Sequence, residues 1–192
     1  MNEKNIQEYL NIIKKKNPTI CLEIGFGSGE NLLNNINKYQ DSFFIGCEPY
    51  LNGLTSFING LQEKYYERIK LFKDDVRILL DYIPDNFFDK IIILFPDPWP
   101  KARHEKRRLL NEVNIKLIIR TLKKEGIMYT ATDVKDYFFS MLKSFEHLNN
   151  CVIINKENYI KKPKFISKTR YMEKTKVINE KAFFLEIKKI LD

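Results

Sequence analysis

The sequence of 192 residues predicts a doubly wound α/β fold with a mostly parallel sheet. Short apolar runs typical of strands alternate with stretches of helical periodicity from residue 19 onward. The most apolar run, Ile91–Phe95 (IIILF), suits a central strand that is covered on both faces. Strands that alternate with helices pair in parallel through right-handed crossovers, and ligands of such sheets bind beyond the carboxyl ends of the strands.

The elements follow one another without repeats or low-complexity linkers, which predicts a single domain over residues 1–192. Within it we expect an N-terminal helical segment at 1–18 and a long basic connection at 156–176 without an obvious helix. The predicted strands are Thr19–Gly25, Ser42–Cys47, Arg68–Lys73, Phe88–Phe95, Gly126–Thr132, Cys151–Asn155 and Ala182–Lys188. The predicted helices are Glu30–Tyr39, Leu51–Lys64, Val76–Tyr82, Lys106–Lys123 and Val134–Phe145.

Composition excludes several classes of protein. Hydrophobic residues make up 44% and charged residues 30% of the chain, which is ordinary for a globular protein. The run IIILF is far too short to span a bilayer, and the opening MNEKNIQEYL lacks the apolar region of a signal peptide. Cys21, Cys47 and Cys151 form no CxxC pair, so we interpret them as buried thiols of a reducing compartment. We therefore expect a cytoplasmic protein with no membrane segment and no metal.

The net charge of +8 is concentrated in two segments. Residues 101–108 hold five Lys/Arg against one Glu, and residues 156–176 hold eight Lys/Arg against two acids, which leaves −2 for the rest. This distribution predicts a face that binds a polyanion. Solubilising surface lysine in a Lys/Asn/Ile-rich composition is the alternative explanation.

A glycine-rich turn follows the first predicted strand in LEIGFGSGE, with glycines at Gly25, Gly27 and Gly29. Glycines let backbone N–H groups approach a ligand closely, and Glu48, after the second strand, is placed to accept both hydroxyls of a ribose. A dinucleotide fingerprint would need a third glycine at Glu30, so NAD is disfavoured. Acids at Glu23 and Glu48 suit the cationic S-adenosylmethionine better. An ordinary tight turn is the alternative.

The third strand is followed by Asp74 and Asp75. Asp75 can hold the adenine amine of a cofactor or cap the next helix, and the two roles are compatible.

The stretch Phe95–Arg108 (FPDPWPKARHEKRR) combines an acid, an aromatic face and cations on a loop stiffened by prolines. Asp97 is placed to contact a base edge or to orient the methionine portion of the cofactor. Trp99 can stack on a base or pack partly in the core. Lys101 and Arg103 are predicted to engage phosphate. The cations at 106–108 either do the same or form the solvated first turn of a helix.

The later strands add further candidates for substrate contact. Asp133, after the fifth strand, can recognise a base, cap the helix at Val134, or do both. Thr169, Arg170 and Tyr171 provide hydroxyl and guanidinium donors within the second basic segment.

These motifs resemble the bacterial tRNA (guanine-N7-)-methyltransferase family, in order, through LEIGFGSGE, IGCEPY, FPDPWPKARHEKRRL, ATD and KTRY. The resemblance covers about Thr19 to Ile187 and implies the Rossmann-like, seven-stranded fold of class I methyltransferases, with an antiparallel C-terminal strand. It implies that S-adenosylmethionine is held by Glu23, Glu48, Asp75 and Asp97, and that Asp97 also acts in catalysis. It also implies that tRNA is contacted by Lys101, Asp133 and the segment Thr169–Tyr171, and that the product is N7-methylguanosine at position 46.

The sequence departs from that family after Tyr171, where Met172 stands in place of an acid and Glu173 follows one residue later. The sequence is also compatible with three other hypotheses. These are a methyltransferase for another RNA or a small metabolite, a non-catalytic RNA-binding protein, and a nicotinamide-dependent oxidoreductase. Both a monomer and a homodimer are compatible with the sequence.

Overall fold

The computed structural model describes residues 18–174 and 182–191, together with residues 8, 10, 11 and 13. Most of the predicted N-terminal segment and the last two residues of the basic connection lie outside this part of the chain. Seven strands in the described residues form one sheet with the order β3-β2-β1-β4-β5-β7-β6. They are β1 Thr19–Ile24, β2 Ser42–Cys47, β3 Ile69–Phe72, β4 Phe88–Leu94, β5 Leu122–Thr132, β6 Cys151–Ile153 and β7 Phe183–Lys189.

The direction of the strands confirms the predicted fold class. Strands β1 to β5 pair in parallel, whereas β7 is antiparallel to both of its neighbours, β5 and β6. The chain leaves β1 towards β2 and β3 on one side and returns to β4 on the other, so the strand order reverses between β1 and β4. The carboxyl ends of these two strands therefore border the crevice in which such sheets bind ligands.

Helices cover both faces of the sheet and enclose one hydrophobic cluster on each side. Alternate residues of β1 point to opposite faces, so that Leu22 joins one cluster and Cys21 the other. After residue 18, the α-helices in the described part of the chain are α1 Glu30–Lys38, α2 Leu51–Gly60, α3 Val76–Tyr82, α4 Glu112–Thr121, α5 Lys135–Glu146 and the short α6 Arg170–Lys174. The 3-10 helices are Glu63–Arg68 and Ala102–Arg107.

The predicted start of the helix at Lys106 is wrong. A 3-10 helix ends at Arg107, and α4 begins at Glu112 because the Asn111 side chain caps it by accepting a hydrogen bond from the N–H of Asn114 at 3.0 Å. The cations at 106–108 therefore do not form the first turn of an α-helix.

Other predicted boundaries also shift. The second helix ends at Gly60, four residues early, and β6 ends at Ile153. Strand β5 starts at Leu122, which pairs with Phe88 before an irregular register between Phe88 and Lys90. The basic connection contains a helix, α6, that we did not predict.

The three cysteines are buried and free, as predicted. Burial raises the pKa of the thiols of Cys21 and Cys47 to about 12 and that of Cys151 to about 11, so they stay protonated and unreactive. None of the helices in the described residues combines the length and the apolar character that crossing a bilayer requires.

Candidate active site

The glycine-rich turn after β1 is tied to the end of β2 by a buried carboxylate. Glu48 accepts hydrogen bonds from the N–H of Gly27 at 2.8 Å and of Tyr50 at 2.9 Å. Gly25 and Gly27 have φ values of 68° and 56°, and a Cβ atom on either would meet no atom within 4 Å. The turn therefore presents open backbone towards solvent, in a conformation that favours glycine.

Gly29 has a different role from the other two glycines. It precedes α1 with a φ of 82°, and a Cβ there would lie 2.2 Å from a ring carbon of Phe57. It lines neither of the two clefts described next. The third glycine thus permits close packing of the turn on α2, and its predicted contact with a cofactor has no support in its position.

Two clefts meet at the carboxyl ends of β1 and β4 and share Gly25, Leu94 and Phe95. The first cleft has a volume of about 320 Å³, and its walls include Glu48, Asp75, Asp97, Trp99, Lys106 and Arg107. The second cleft has a volume of about 350 Å³, and its walls include Glu23, Gly27, Glu30, Thr169, Arg170 and Tyr171. The topology thus brings together most of the residues that the sequence singled out.

Asp75 caps α3, as predicted, by accepting a hydrogen bond from the N–H of Arg77 at 2.9 Å. The Arg77 guanidinium also binds the carboxylate, with Nε donating at 2.9 Å. These contacts with Arg77 lower the pKa of Asp75 and keep it ionised. Arg77 lines the first cleft and was not predicted from the sequence.

The loop that carries Asp97 is strained at both ends. Phe95 and Trp99 have φ values of 50° and 42°, in the left-handed region that non-glycine residues seldom adopt. Within the described part of the chain no group donates a hydrogen bond to the exposed Asp97 carboxylate. Strain of this kind persists only where neighbours hold the backbone, and it is concentrated at functional sites.

Trp99 forms a wall of the first cleft and belongs to neither hydrophobic cluster. The Arg107 guanidinium lies 5.1 Å from the centre of its ring, and His104 packs edge-on at 5.7 Å. The indole is half-buried between these two residues and the cleft. The absence of Trp99 from both clusters argues against the alternative that it packs partly in the core.

Arg108 is not a phosphate-binding surface cation, because its side chain is only 3% exposed. Its Nε donates to the carbonyl of Pro98 at 2.8 Å, and a terminal nitrogen pairs with Asp136 at 2.6 Å. The guanidinium also lies 4.9 Å from the centre of the Tyr137 ring. Arg108 thus connects the loop that carries Asp97 to α5.

The remaining cations of the first basic segment are exposed. Lys101 and Arg103 line neither cleft, whereas Lys106 and Arg107 line the first one. Lys106 and Arg107, for which the sequence allows a phosphate contact or a solvated helical turn, therefore border the first cleft, whereas Lys101 and Arg103 do not.

Glu23 is buried at the base of the second cleft, with 3% of its surface exposed. Desolvation raises the pKa of its carboxyl group to about 8, an effect that a 2.8 Å hydrogen bond from Asn31 partly offsets. A cation that entered the cleft would favour the ionised form.

This pKa predicts how stability depends on pH. Between pH 4.5 and about 8, the Glu23 carboxyl group is protonated in the native protein but ionised in the unfolded chain. The free energy of unfolding therefore falls as the pH rises through this window. We expect Glu23→Gln to gain stability relative to the wild type by up to about 1.4 kcal/mol per pH unit. Urea unfolding of both proteins at pH 5, 6.5 and 8 measures it, and a difference that does not change with pH would contradict it.

Asp133 lines neither cleft but contacts Tyr171, which lines the second one. The Tyr171 hydroxyl donates to the Asp133 carboxylate at 3.1 Å, and its ring packs 4.9 Å from that of Phe95. The predicted capping role of Asp133 is wrong, because α5 begins at Lys135 and the N–H of Val134 binds the Thr132 hydroxyl instead.

The rest of the KTRY segment forms the start of α6. The Thr169 hydroxyl accepts a hydrogen bond from the N–H of Met172 at 3.3 Å, and Arg170 pairs with Glu30 at 3.2 Å. Met172 is buried and Glu173 is exposed, so Glu173 is the acid that this segment presents. Among the described residues no group of three or more His, Cys, Asp or Glu side chains is arranged to hold a metal ion.

Solved structures with the same architecture define the class of the fold. An rRNA methylase from Streptococcus thermophilus superposes with a TM-score of 0.61 at 14% identity, over 98% of this chain and 93% of that one. A SAM-dependent O-methyltransferase from Thermotoga maritima gives 0.60 at 15% identity, over 98% and 66%. The fold is that of the class I methyltransferases.

Sequence comparison identifies the family. Residues 17–185 match the model of a family described as "Putative methyltransferase". The chain is 34% identical over 190 residues to a tRNA (guanine-N(7)-)-methyltransferase of Buchnera aphidicola subsp. Acyrthosiphon pisum (strain Tuc7), which covers 98% of this chain and 76% of that protein. The chain belongs to the tRNA (guanine-N7-)-methyltransferase family.

Other relatives are longer than the matched region. A tRNA (guanine-N(7)-)-methyltransferase of Wolbachia pipientis wMel is 39% identical over 70% of this chain and 61% of its own length. A bifunctional methyltransferase of Rickettsia felis is 38% identical over 74% of this chain and 27% of its own length. The chain thus matches about a quarter of the bifunctional relative and about three fifths of the Wolbachia protein.

Proposed function

We propose that the protein transfers a methyl group from S-adenosylmethionine to N7 of a guanine in tRNA, with guanine 46 of the variable loop as the expected target. The observation that carries this proposal is the position of Asp97, on a strained loop that faces the glycine turn and Glu48 across one cleft. The family to which the chain belongs supports the choice of substrate.

The residues present fit S-adenosylmethionine. Gly25 and Gly27 leave an open cradle between the two clefts, into which a cofactor can extend. On the first side Glu48 would accept the ribose hydroxyls with its remaining lone pairs, and Asp75 would face the adenine. On the second side Glu23 would accept the ammonium group of the methionine portion, a cation that suits a desolvated carboxylate.

The chain contributes alignment and charge to the reaction. S-adenosylmethionine supplies a methyl group on a sulfonium, which the in-plane lone pair of guanine N7 can accept without prior loss of a proton. Asp97 is proposed to hold the reacting groups in line and to stabilise the positive charge that develops on the purine ring. Its carboxylate is free of hydrogen bonds from other described residues, which leaves it available for that contact.

The RNA is proposed to bind along the cations that flank both clefts. Lys101 and Arg103 are exposed for phosphate contact, and Lys106 and Arg107 add charge at the first cleft. Thr169, Arg170 and Tyr171, which belong to the connection 156–176 of the same domain, would contact the substrate at the second cleft. Asp133, which follows β5 and binds the Tyr171 hydroxyl, would contact the substrate beside them. Binding through phosphates predicts an affinity that falls steeply with salt.

A methyl-transfer assay tests this function. Purified protein is incubated with methyl-labelled S-adenosylmethionine and an unmodified tRNA transcript, and the RNA is digested to nucleosides for mass spectrometry. We expect N7-methylguanosine, and we expect it to disappear when guanine 46 of the transcript is replaced by adenine. Label in another nucleoside, at another position or in no RNA at all would contradict the proposal.

A further inference from the structure

Asn31 links the base of the second cleft to the basic connection. It is the second residue of α1 and is only 1% exposed. Its Nδ2 donates to Oε2 of Glu23 at 2.8 Å, while its Oδ1 accepts from the backbone N–H of Ser167 at 2.8 Å. The nitrogen of the buried Asn31 amide is therefore hydrogen-bonded to the proposed cofactor site, and its oxygen is hydrogen-bonded to the basic connection that is proposed to bind RNA.

The connection is docked on α1 by further contacts around this bridge. Asn34, one turn later, donates to the Ser167 hydroxyl at 2.5 Å, and Arg170 pairs with Glu30. The Phe165 ring stacks against Tyr39 at 4.9 Å and Tyr129 at 5.3 Å. Residues 165–170 therefore pack against α1 and against Tyr39 and Tyr129, next to the cleft that Glu23 shares with Thr169.

We propose that Asn31 is a positioning residue that couples binding of the cofactor at Glu23 to binding of RNA by the 156–176 connection. This inference rests on the proposed function. Within the described residues Asn31 is the one hydrogen-bond donor to the Glu23 carboxylate. Ser167 fixes the orientation of the amide, because its N–H requires the oxygen of Asn31 and thereby turns the NH₂ group towards Glu23.

The coupling arises because the hydrogen bonding of Glu23 depends on whether the basic connection is docked on α1 or displaced from it. With the connection docked, the ionised Glu23 keeps its donor and is oriented to receive a cation. With the connection displaced, the amide can rotate and the buried carboxylate loses the partner that stabilises its charge. A ligand that binds only the ionised, oriented Glu23 therefore favours the docked connection, and RNA held by the docked connection favours that ligand by the same factor.

Calorimetric titration with S-adenosylhomocysteine, with and without a saturating unmodified tRNA transcript, measures this factor. For the wild type we expect the transcript to tighten binding of S-adenosylhomocysteine about tenfold, within the usual range of coupling between sites. Asn31→Ala should reduce the factor to less than about twofold. Asn34→Ala is the matched control, since it also loses a bond to Ser167 but leaves the link to Glu23 intact, and it should keep the wild-type factor.

Several results would overturn the inference. A factor of one in a wild-type protein that binds both ligands contradicts the coupling alone, whereas failure to bind either ligand counts against the proposed function. Equal loss of coupling in Asn31→Ala and Asn34→Ala would mean that the coupling depends on docking of the connection and not on the link from Asn31 to Glu23. If Asn31→Ala does not fold, hydrogen exchange of the wild type decides, because S-adenosylhomocysteine should slow exchange of the Ser167 amide, and unchanged exchange would refute the link.

Discussion

Replacing Asp97 by alanine is expected to slow methyl transfer by about 10²–10³-fold while leaving the protein folded. The carboxylate is exposed and accepts no hydrogen bond from another described residue, so its loss breaks no contact that stabilises the native state. It stands where positive charge is proposed to develop, and removal of one such stabilising group costs about 10²–10³ in kcat. Single-turnover methylation of a tRNA transcript and the thermal unfolding midpoint measure the two effects.

Asp81→Ala provides the matched control, because Asp81 is an exposed carboxylate on α3 that lines neither cleft. Its activity should equal that of the wild type. Titration with S-adenosylhomocysteine separates the two roles proposed for Asp97, since a purely catalytic role leaves affinity unchanged and a cofactor contact lowers it. Full activity of Asp97→Ala, or an equal loss in Asp81→Ala, would contradict the assignment.

The mostly parallel sheet could be predicted because the alternation of strands and helices is visible in a single sequence. Alternation of apolar strands with helices requires parallel crossovers, and the carboxyl ends of those strands then meet at one edge. Glu48, Asp75 and Asp97, which follow three different strands, could therefore be placed around one cleft before the structure was known.

Contacts between distant side chains could not be predicted in the same way. Arg108 stands in a run of cations, and such a run indicates a solvated surface, whereas its burial depends on Asp136 and Tyr137, more than twenty residues away. Asn31 lies on a polar helical position beside the glycine turn, and its partner Ser167 is 136 residues further along the chain. Neither pairing has a signal in local periodicity.

The start of α4 shows a different limit. The stretch from Lys106 carries helix-favouring residues, yet the helix begins only after Asn111, whose side chain satisfies the N–H of Asn114. A continuous α-helix from Lys106 is the alternative to the observed 3-10 turn followed by a capped helix, and local propensity does not distinguish the two. Arg108 lies between the 3-10 helix and α4 with a non-helical ψ of 132°, and its contact with the Pro98 carbonyl favours this conformation over a continuous helix.

Replacing Arg108 by alanine is expected to impair both stability and catalysis. The substitution leaves the Pro98 carbonyl without its donor and empties the space on the Tyr137 ring, which should lower the free energy of unfolding by about 2–3 kcal/mol. The loop between Phe95 and Trp99 can then relax from its left-handed conformations, so Asp97 loses its position. A misplacement of this kind costs about 10²-fold in kcat.

Arg120→Ala separates the two effects, because Arg120 makes similar contacts far from the clefts. Its guanidinium binds the carbonyls of Leu80 and Ile83 and pairs with Asp85. This variant should lose stability but keep the kcat of its folded fraction. In an Asp97→Ala background, Arg108→Ala should cause little further loss of kcat, because both substitutions remove the same carboxylate from the same position. Losses that multiply in the double variant would instead mean that Arg108 acts on the reaction independently of Asp97.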